Sequence, residues 1–158
     1  MDTQEKIDQY YMSLALKEAQ YAYERDEVPV GAILVQEDRI LSRGHNQVEL
    51  LQDATAHAEM LCLTSAFSYL NNWRIPDLTL YCTLEPCSMC AGAIFSSRVK
   101  RLVYGAKDIR LGACGSFVDL FSVKHPMHSA EVTGGVLADE SAFLLKAFFK
   151  QKRPPCKS

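Results

Sequence analysis

The 158-residue chain lacks several features, and each absence narrows its class. It opens Met1-Asp2-Thr3-Gln4-Glu5-Lys6, with no basic segment leading into an apolar one, so no secretory signal is read. No apolar run reaches the length that spans a bilayer. There is no internal repeat and no linker, which leaves a single domain over residues 1–158 as the expectation. Net charge is only −2, which by itself argues against a nucleic-acid protein. With no export signal, the six cysteines are expected as thiols or metal ligands in a reducing compartment, and the protein in the cytoplasm.

What is present is an ordinary globular composition, 48% hydrophobic and 23% charged, in a chain long enough to bury a core without disulfides. The charge is unevenly spread. Residues 1–97 hold six Lys/Arg against fourteen Asp/Glu, and residues 98–158 hold eleven against five. A basic second half could present one positive face to a phosphate backbone, or the segregation could be solvated surface charge.

Periodicity predicts an amphipathic helix over 6–25, with Ile7, Tyr11, Leu14, Ala15 and Ala22 on one stripe. A hairpin follows, from a buried strand over 28–35 through a Glu37-Asp38 turn to 39–44. Residues 45–55 read as polar loop, with Asp53 or Thr55 capping a helix that carries His57 and Glu59. A strand over 78–83 leads to Pro86, which sits where a first-turn proline belongs, and to a helix from about 87 to 97. A strand over 99–104, reached by that helical crossover, should lie parallel to the previous one. Residues 105–128 are irregular apart from a possible helical turn at 117–121. A short strand over 131–133 precedes a last helix, capped by Asp139 and running through Phe149 into a basic tail. The expected fold class is α/β: three layers, α/β/α, around a mixed sheet of about five strands.

Two stretches carry the chemistry: Thr55-Ala56-His57-Ala58-Glu59 and Glu85-Pro86-Cys87-Ser88-Met89-Cys90. Together they make an H-x-E … P-C-x-x-C constellation, the signature of zinc nucleobase deaminases. His57, Cys87 and Cys90 supply three ligands, and a catalytic zinc keeps its fourth position for water, lowering that water's pKa toward neutrality. Both ligand groups fall at predicted helix N-termini, where the dipole favours thiolate. Glu59 is expected to move protons without ligating the metal. One difficulty is that two residues on a helix point about 200° apart, so His57 and Glu59 can converge only in a first turn. A purely structural zinc site would need a fourth Cys or His, such as Cys82 or His45, and would have no use for Glu59. A lone C-x-x-C is also compatible with redox use. Cys62 and Cys82 read as buried thiols, and His125 and His128 as loop residues despite their H-x-x-H spacing.

With these motifs the chain resembles the bacterial tRNA-specific adenosine deaminases. The match takes in 27–32, Gly44-His45-Asn46, 55–59, 80–93, Gly105-Ala106-Lys107-Asp108, 112–116, 135–140 and Phe148-Phe149, nearly the whole chain. The resemblance implies a cytidine-deaminase-like fold, zinc, a homodimer, and conversion of the wobble adenosine of an arginine tRNA to inosine. It also implies partners for the anticodon stem-loop: Asn46 on the flipped nucleotide, Val30 and Ala58 beside the base, and Asp108 on ribose or backbone. Phe149 and the basic end of the last helix, including Arg153, would meet the anticodon loop. Read as residues alone, Asn46 has a turn role as its alternative, Asp108 could equally be a surface or loop-capping residue, and one of Phe148 and Phe149 should be core. The zinc motifs are shared by deaminases of free bases and nucleosides, which remain the alternative. His45 and the loop 124–128 depart from the family's pattern.

Overall fold

The computed structural model describes residues 1–152. Helix α1 (Thr3–Glu24) starts at a capping box that the sequence expectation missed. The Asp2 carboxylate accepts from the Glu5 N–H at 2.8 Å, and the Glu5 carboxylate accepts from the Asp2 N–H at 3.3 Å. Met12, Ala15, Ala19 and Ala22 recur at helical spacing and are fully buried, while Ile7, expected on that stripe, is partly exposed. The small residues matter: a Cβ on Gly31 would collide with the Ala15 carbonyl, so helix and first strand touch backbone to backbone.

Strand β1 (Gly31–Gln36) pairs antiparallel with β2 (Arg39–His45) through the expected turn, with Glu37 left-handed at φ 55°. The strand begins three residues later than the apolar run suggested. Pro29 has no N–H, and the Val30 N–H folds back onto the Val28 carbonyl at 2.9 Å. Helices α2 (Val48–Leu51) and α3 (Ala58–Leu70) come next, then β3 (Leu78–Leu84) and α4 (Ser88–Ser96). Strands β4 (Arg101–Ala106) and β5 (Glu131–Thr133) and helix α5 (Ala138–Lys152) complete the described chain. The sheet order is β2-β1-β3-β4-β5, antiparallel as far as β3 and parallel across β3-β4-β5.

Alternation along the strands builds two cores. Ala32, Leu34, Leu80, Cys82 and Leu102 pack on α3 and α4 with Ala58, Cys62, Leu63, Ala66 and Ile94. Ile33, Val35, Tyr81 and Val103 face the other way, onto Tyr11, Met12 and Ala15 of α1. Helix α5 lies beside α1, with Phe148 edge-on to Tyr23 at 6.1 Å. The result is the three-layer α/β/α fold expected. On the α1 face Asp8 takes a bidentate ion pair from Arg101 at 2.6 Å and a hydrogen bond from the Tyr81 hydroxyl at 2.9 Å. Burial works to raise the Asp8 pKa, but the bonds from Arg101, Gln4 and Tyr81 outweigh it and the net shift is downward.

Several local expectations need correction. Asp53 and Thr55 do not cap α3; Asp53 accepts from the Thr55 N–H and hydroxyl in a tight Asx turn instead. The polar loop holds the short helix α2. Residues 117–121 form no helical turn: the Phe117 N–H returns to Gly112, and the Asp119 carboxylate accepts from Phe121 and Ser122. Among the described residues no helix is long and apolar enough to cross a membrane.

Candidate active site

Strand register gathers the candidate residues at one edge of the sheet. Gly31 stands opposite His45, so Val30 and Asn46 sit side by side just beyond the pair. Leu84 stands opposite Ala106, so Glu85-Pro86-Cys87 leave β3 beside the start of the 107–118 loop. Thr83 ties the two halves of that edge, its hydroxyl accepting from the Gly31 N–H at 3.1 Å.

His57 and Cys87 are each the N-cap of a helix. Both are extended, at φ −74°, ψ 153° and φ −75°, ψ 175°, and neither side chain caps its own helix. Their carbonyls accept the first helical bonds, from Leu61 and Ala91, at 3.0 and 2.9 Å. Both side chains are therefore left free to point off the helix start. This corrects Pro86, which precedes the cap and is not the first helical residue. It also removes the angular difficulty: His57 stands outside the helix and Glu59 inside its first turn, so the helical wheel does not relate them.

The His57 Nδ1 lies 3.6 Å from both sulfurs, Cys87 Sγ and Cys90 Sγ. The three donor atoms lie within 4.8 Å of one another, and they form the only such His/Cys/Asp/Glu group among the described residues. Zn–S bonds of about 2.3 Å and a Zn–N bond of about 2.0–2.1 Å at tetrahedral angles put N and S about 3.6 Å apart, so the donors fit that ion. The protons tell the same story. Hydrogen bonding from Cys90, then from His57, pulls the Cys87 thiol down to about 4. Cys90 moves upward through its bond to Cys87 and its burial, and His57 is raised mainly by its bond to Cys87. A divalent cation bound by these donors would displace their protons. Glu59 is 4% exposed, and burial pushes its carboxyl upward.

The other expected residues are placed as follows. Val30 and Ala58 are both buried in the α3-side core. Asn46 is buried; its Nδ2 donates to the Val28 carbonyl and its Oδ1 accepts from the Val48 N–H, each at 3.2 Å. One N–H and one lone pair of its amide stay available. Asp108 is a loop cap, its Oδ1 accepting from the Arg110 and Leu111 N–H groups at 3.2 Å. Phe148 is core and Phe149 is half-exposed, the division expected. Lys152 pairs with Asp26 and lies over the Phe148 ring, while Arg153 falls outside the described residues. His125 stacks on Phe95 at 4.4 Å and the His128 Nε2 meets the Val99 carbonyl at 2.7 Å, so their H-x-x-H spacing joins no metal group. Cys62 and Cys82 are buried free thiols.

Sequence reasoning missed two buried carboxylates. Glu27 accepts from the first N–H groups of α2, those of Glu49 and Leu50, at 2.9 and 2.8 Å. Glu85 accepts from the Asp108, Cys114 and Ser116 N–H groups and from the Ser116 hydroxyl. The one signal was position: Glu85 stands between a buried strand and Pro86-Cys87, where a solvated charge has no natural place.

A fold of this topology with two cysteines and a histidine presented by two helix starts, and a buried glutamate beside them, defines a class. The chain belongs to the cytidine and deoxycytidylate deaminases: the model of that family's zinc-binding region matches residues 5–106. Within that class it groups with the tRNA-specific adenosine deaminases. It is 47% identical over 146 residues to the tRNA-specific adenosine deaminase of Bacillus subtilis, covering 92% of this chain and 91% of that one. The Agrobacterium fabrum enzyme of the same name is 46% identical, covering 91% and 95%. A solved structure from work on A-to-I editing by tRNA:A34 deaminases at the wobble position superposes with a TM-score of 0.82 at 46% identity, over 86% of this chain and 99% of that one. A guanine deaminase from Nitrosomonas europaea shares the fold at 25% identity and a TM-score of 0.76, over 89% and 83%.

Proposed function

We propose that this protein converts adenosine to inosine at the wobble position of a tRNA anticodon, that of an arginine tRNA, by hydrolytic deamination with release of ammonia. The observation that carries the reading is the His57–Cys87–Cys90 donor set with buried Glu59 beside it. Zinc held by the His57 Nδ1 and the two sulfurs would lower the pKa of a water toward about 7. Glu59 takes a proton from the attacking water and passes it to the ring nitrogen, then carries the remaining proton of the added hydroxyl to the amine, which leaves as ammonia when its C–N bond breaks. Val30 and Ala58 border the base, and Asn46 offers it the spare N–H and lone pair of its amide. Asp108, exposed Phe149 and the basic end of α5 with Arg153 meet the anticodon loop. The enzyme works as a single deaminase domain, paired into a cytoplasmic homodimer.

Relatives of this similarity bear the tRNA-specific name, which supports a tRNA substrate over a free base. The test is inosine formation at the wobble adenosine of an arginine-anticodon stem-loop, run beside free adenosine and free guanine. Product in the stem-loop alone is expected. Turnover of the free compounds alone would make the protein a salvage deaminase.

A further inference from the structure

Residues 107–118 wrap around one side chain. Glu85 is 2% exposed, and its two oxygens accept four hydrogen bonds from this loop. Oε1 takes the Asp108 N–H at 3.1 Å and the Ser116 hydroxyl at 2.5 Å; Oε2 takes the Cys114 N–H at 2.9 Å and the Ser116 N–H at 3.2 Å. No Lys, Arg or His among the described residues pairs with it. A buried charge held by neutral donors alone is a device for ordering those donors. Gly112 completes the cradle, because a Cβ there would occupy the space of the Glu85 carboxylate. The main chain repeats the attachment: the Ala113 N–H donates to the Pro86 carbonyl at 2.8 Å, and Cys87 bridges to Gly112.

The inner surface of the loop is thus fixed to the turn that carries Cys87. Its outer surface is different. Ile109 is 81% exposed, Phe117 62% and Leu111 52%, with Lys107 and Arg110 exposed among them. Apolar and aromatic faces interleaved with cations suit unstacked bases and phosphates of single-stranded RNA.

We propose that Glu85 is a positioning residue: it holds the 107–118 loop in place beside the metal donors, so that the loop's exposed side chains bind the RNA flanking the target base. It touches neither substrate nor metal. The proposal rests on the RNA reading above, and its test separates the two. In Glu85→Gln one of the two oxygens becomes an NH2 group and can no longer accept. Hydrogen exchange without substrate should show lost protection in the peptide containing Asp108, Cys114 and Ser116, with α3 and α4 unchanged and metal content still one per chain. On the anticodon stem-loop KM should rise by about tenfold with kcat within about twofold. Ser116→Ala, which removes a single donor, should move KM the same way by less and serves if Glu85→Gln does not fold. A kcat loss at constant KM, or lost metal, would make Glu85 a support of the metal turn and overturn the proposal. A loosened loop with unchanged KM would overturn it too. If the parent protein leaves the stem-loop untouched, the functional reading fails, and the exchange data alone decide whether Glu85 orders the loop.

Discussion

The two helix starts that present the metal donors have the same local geometry and different supports. At α4 the support is concentrated in one side chain: Glu85 gathers N–H groups 23 to 31 residues away, and the 107–118 loop lies against the Cys87 turn. At α3 the support is divided among several side chains, each making two bonds. Glu27 caps α2, Asn46 joins Val28 to Val48, and Asp53 closes a turn on Thr55. The Gln47 N–H then reaches the Ala56 carbonyl at 3.0 Å, one residue before His57. A donor atom can therefore be placed by one anchor that makes four bonds or by several anchors that make two each. The first fails all at once and the second by degrees.

The largest effects should come from the donors themselves, where the two starts act as one. His57→Ala and Cys90→Ala should each abolish metal binding, measured as zinc per chain, and bring deamination to background. Glu59→Gln should split the pair of readouts: full metal content, with turnover down by about 10²–10⁴. Retained activity in Glu59→Gln would refute the proton-transfer role.

A site on the far face of the sheet sharpens the comparison by disturbing neither start. Asp8→Asn leaves partly buried Arg101 without its charge partner and should cost up to about 3 kcal/mol in denaturant unfolding, with metal content unchanged. The pH dependence follows from the lowered Asp8 pKa. Its contribution is fully present above the unfolded carboxylate value and is lost as pH falls through the lower folded value. Parent and variant stability curves should therefore lie apart at neutral pH and converge in strong acid.

The next effect belongs to the α3 start alone. In Gly44→Ala the new Cβ meets the Ala58 carbonyl oxygen at 2.6 Å and the Cys62 nitrogen at 3.0 Å, both backbone atoms of the helix that follows His57. Pushing that helix off β2 should cost about 1–3 kcal/mol and lower activity. Unchanged stability would mean that α3 shifts freely, and the site with it.

Glu27→Gln tests graded support. One of the two α2 N–H groups loses its acceptor, for about 1–2 kcal/mol and a modest rise in KM. A loss as complete as that of a donor variant would erase the contrast between the two starts. The smallest effect is expected from Asp108→Asn, which keeps an Oδ1 acceptor for Arg110 and Leu111 and should stay within about 0.5 kcal/mol in stability. A changed KM in that variant would then report on RNA contact and not on folding.

Much of this architecture was legible in the residues. Strand alternation, the hairpin, the parallel crossover and the three donors with Glu59 all follow from local pattern and spacing. The misses have different causes. Whether Glu27 or Glu85 is a surface charge or a buried acceptor depends on which N–H groups the fold brings to it from far along the chain. The cap of α3 was misassigned because Asp53 and Thr55 look like capping residues, while the true cap, His57, is poor at the task. Strand β1 was begun too early because an apolar run does not reveal that Val28 and Val30 bond to each other.

That poor cap has a consequence for laboratory evolution. Asn or Asp at the N-cap of a helix is worth about 1 kcal/mol over a side chain that makes no capping bond. Neither His57 nor Cys87 makes one. His57→Asn or Cys87→Asp is therefore expected to raise the melting temperature of the metal-free protein while destroying its chemistry. A library screened for heat tolerance alone would drift toward a sturdier, inert chain. Any such campaign has to select for bound zinc or for product at every round, because durability and catalysis draw on the same two positions.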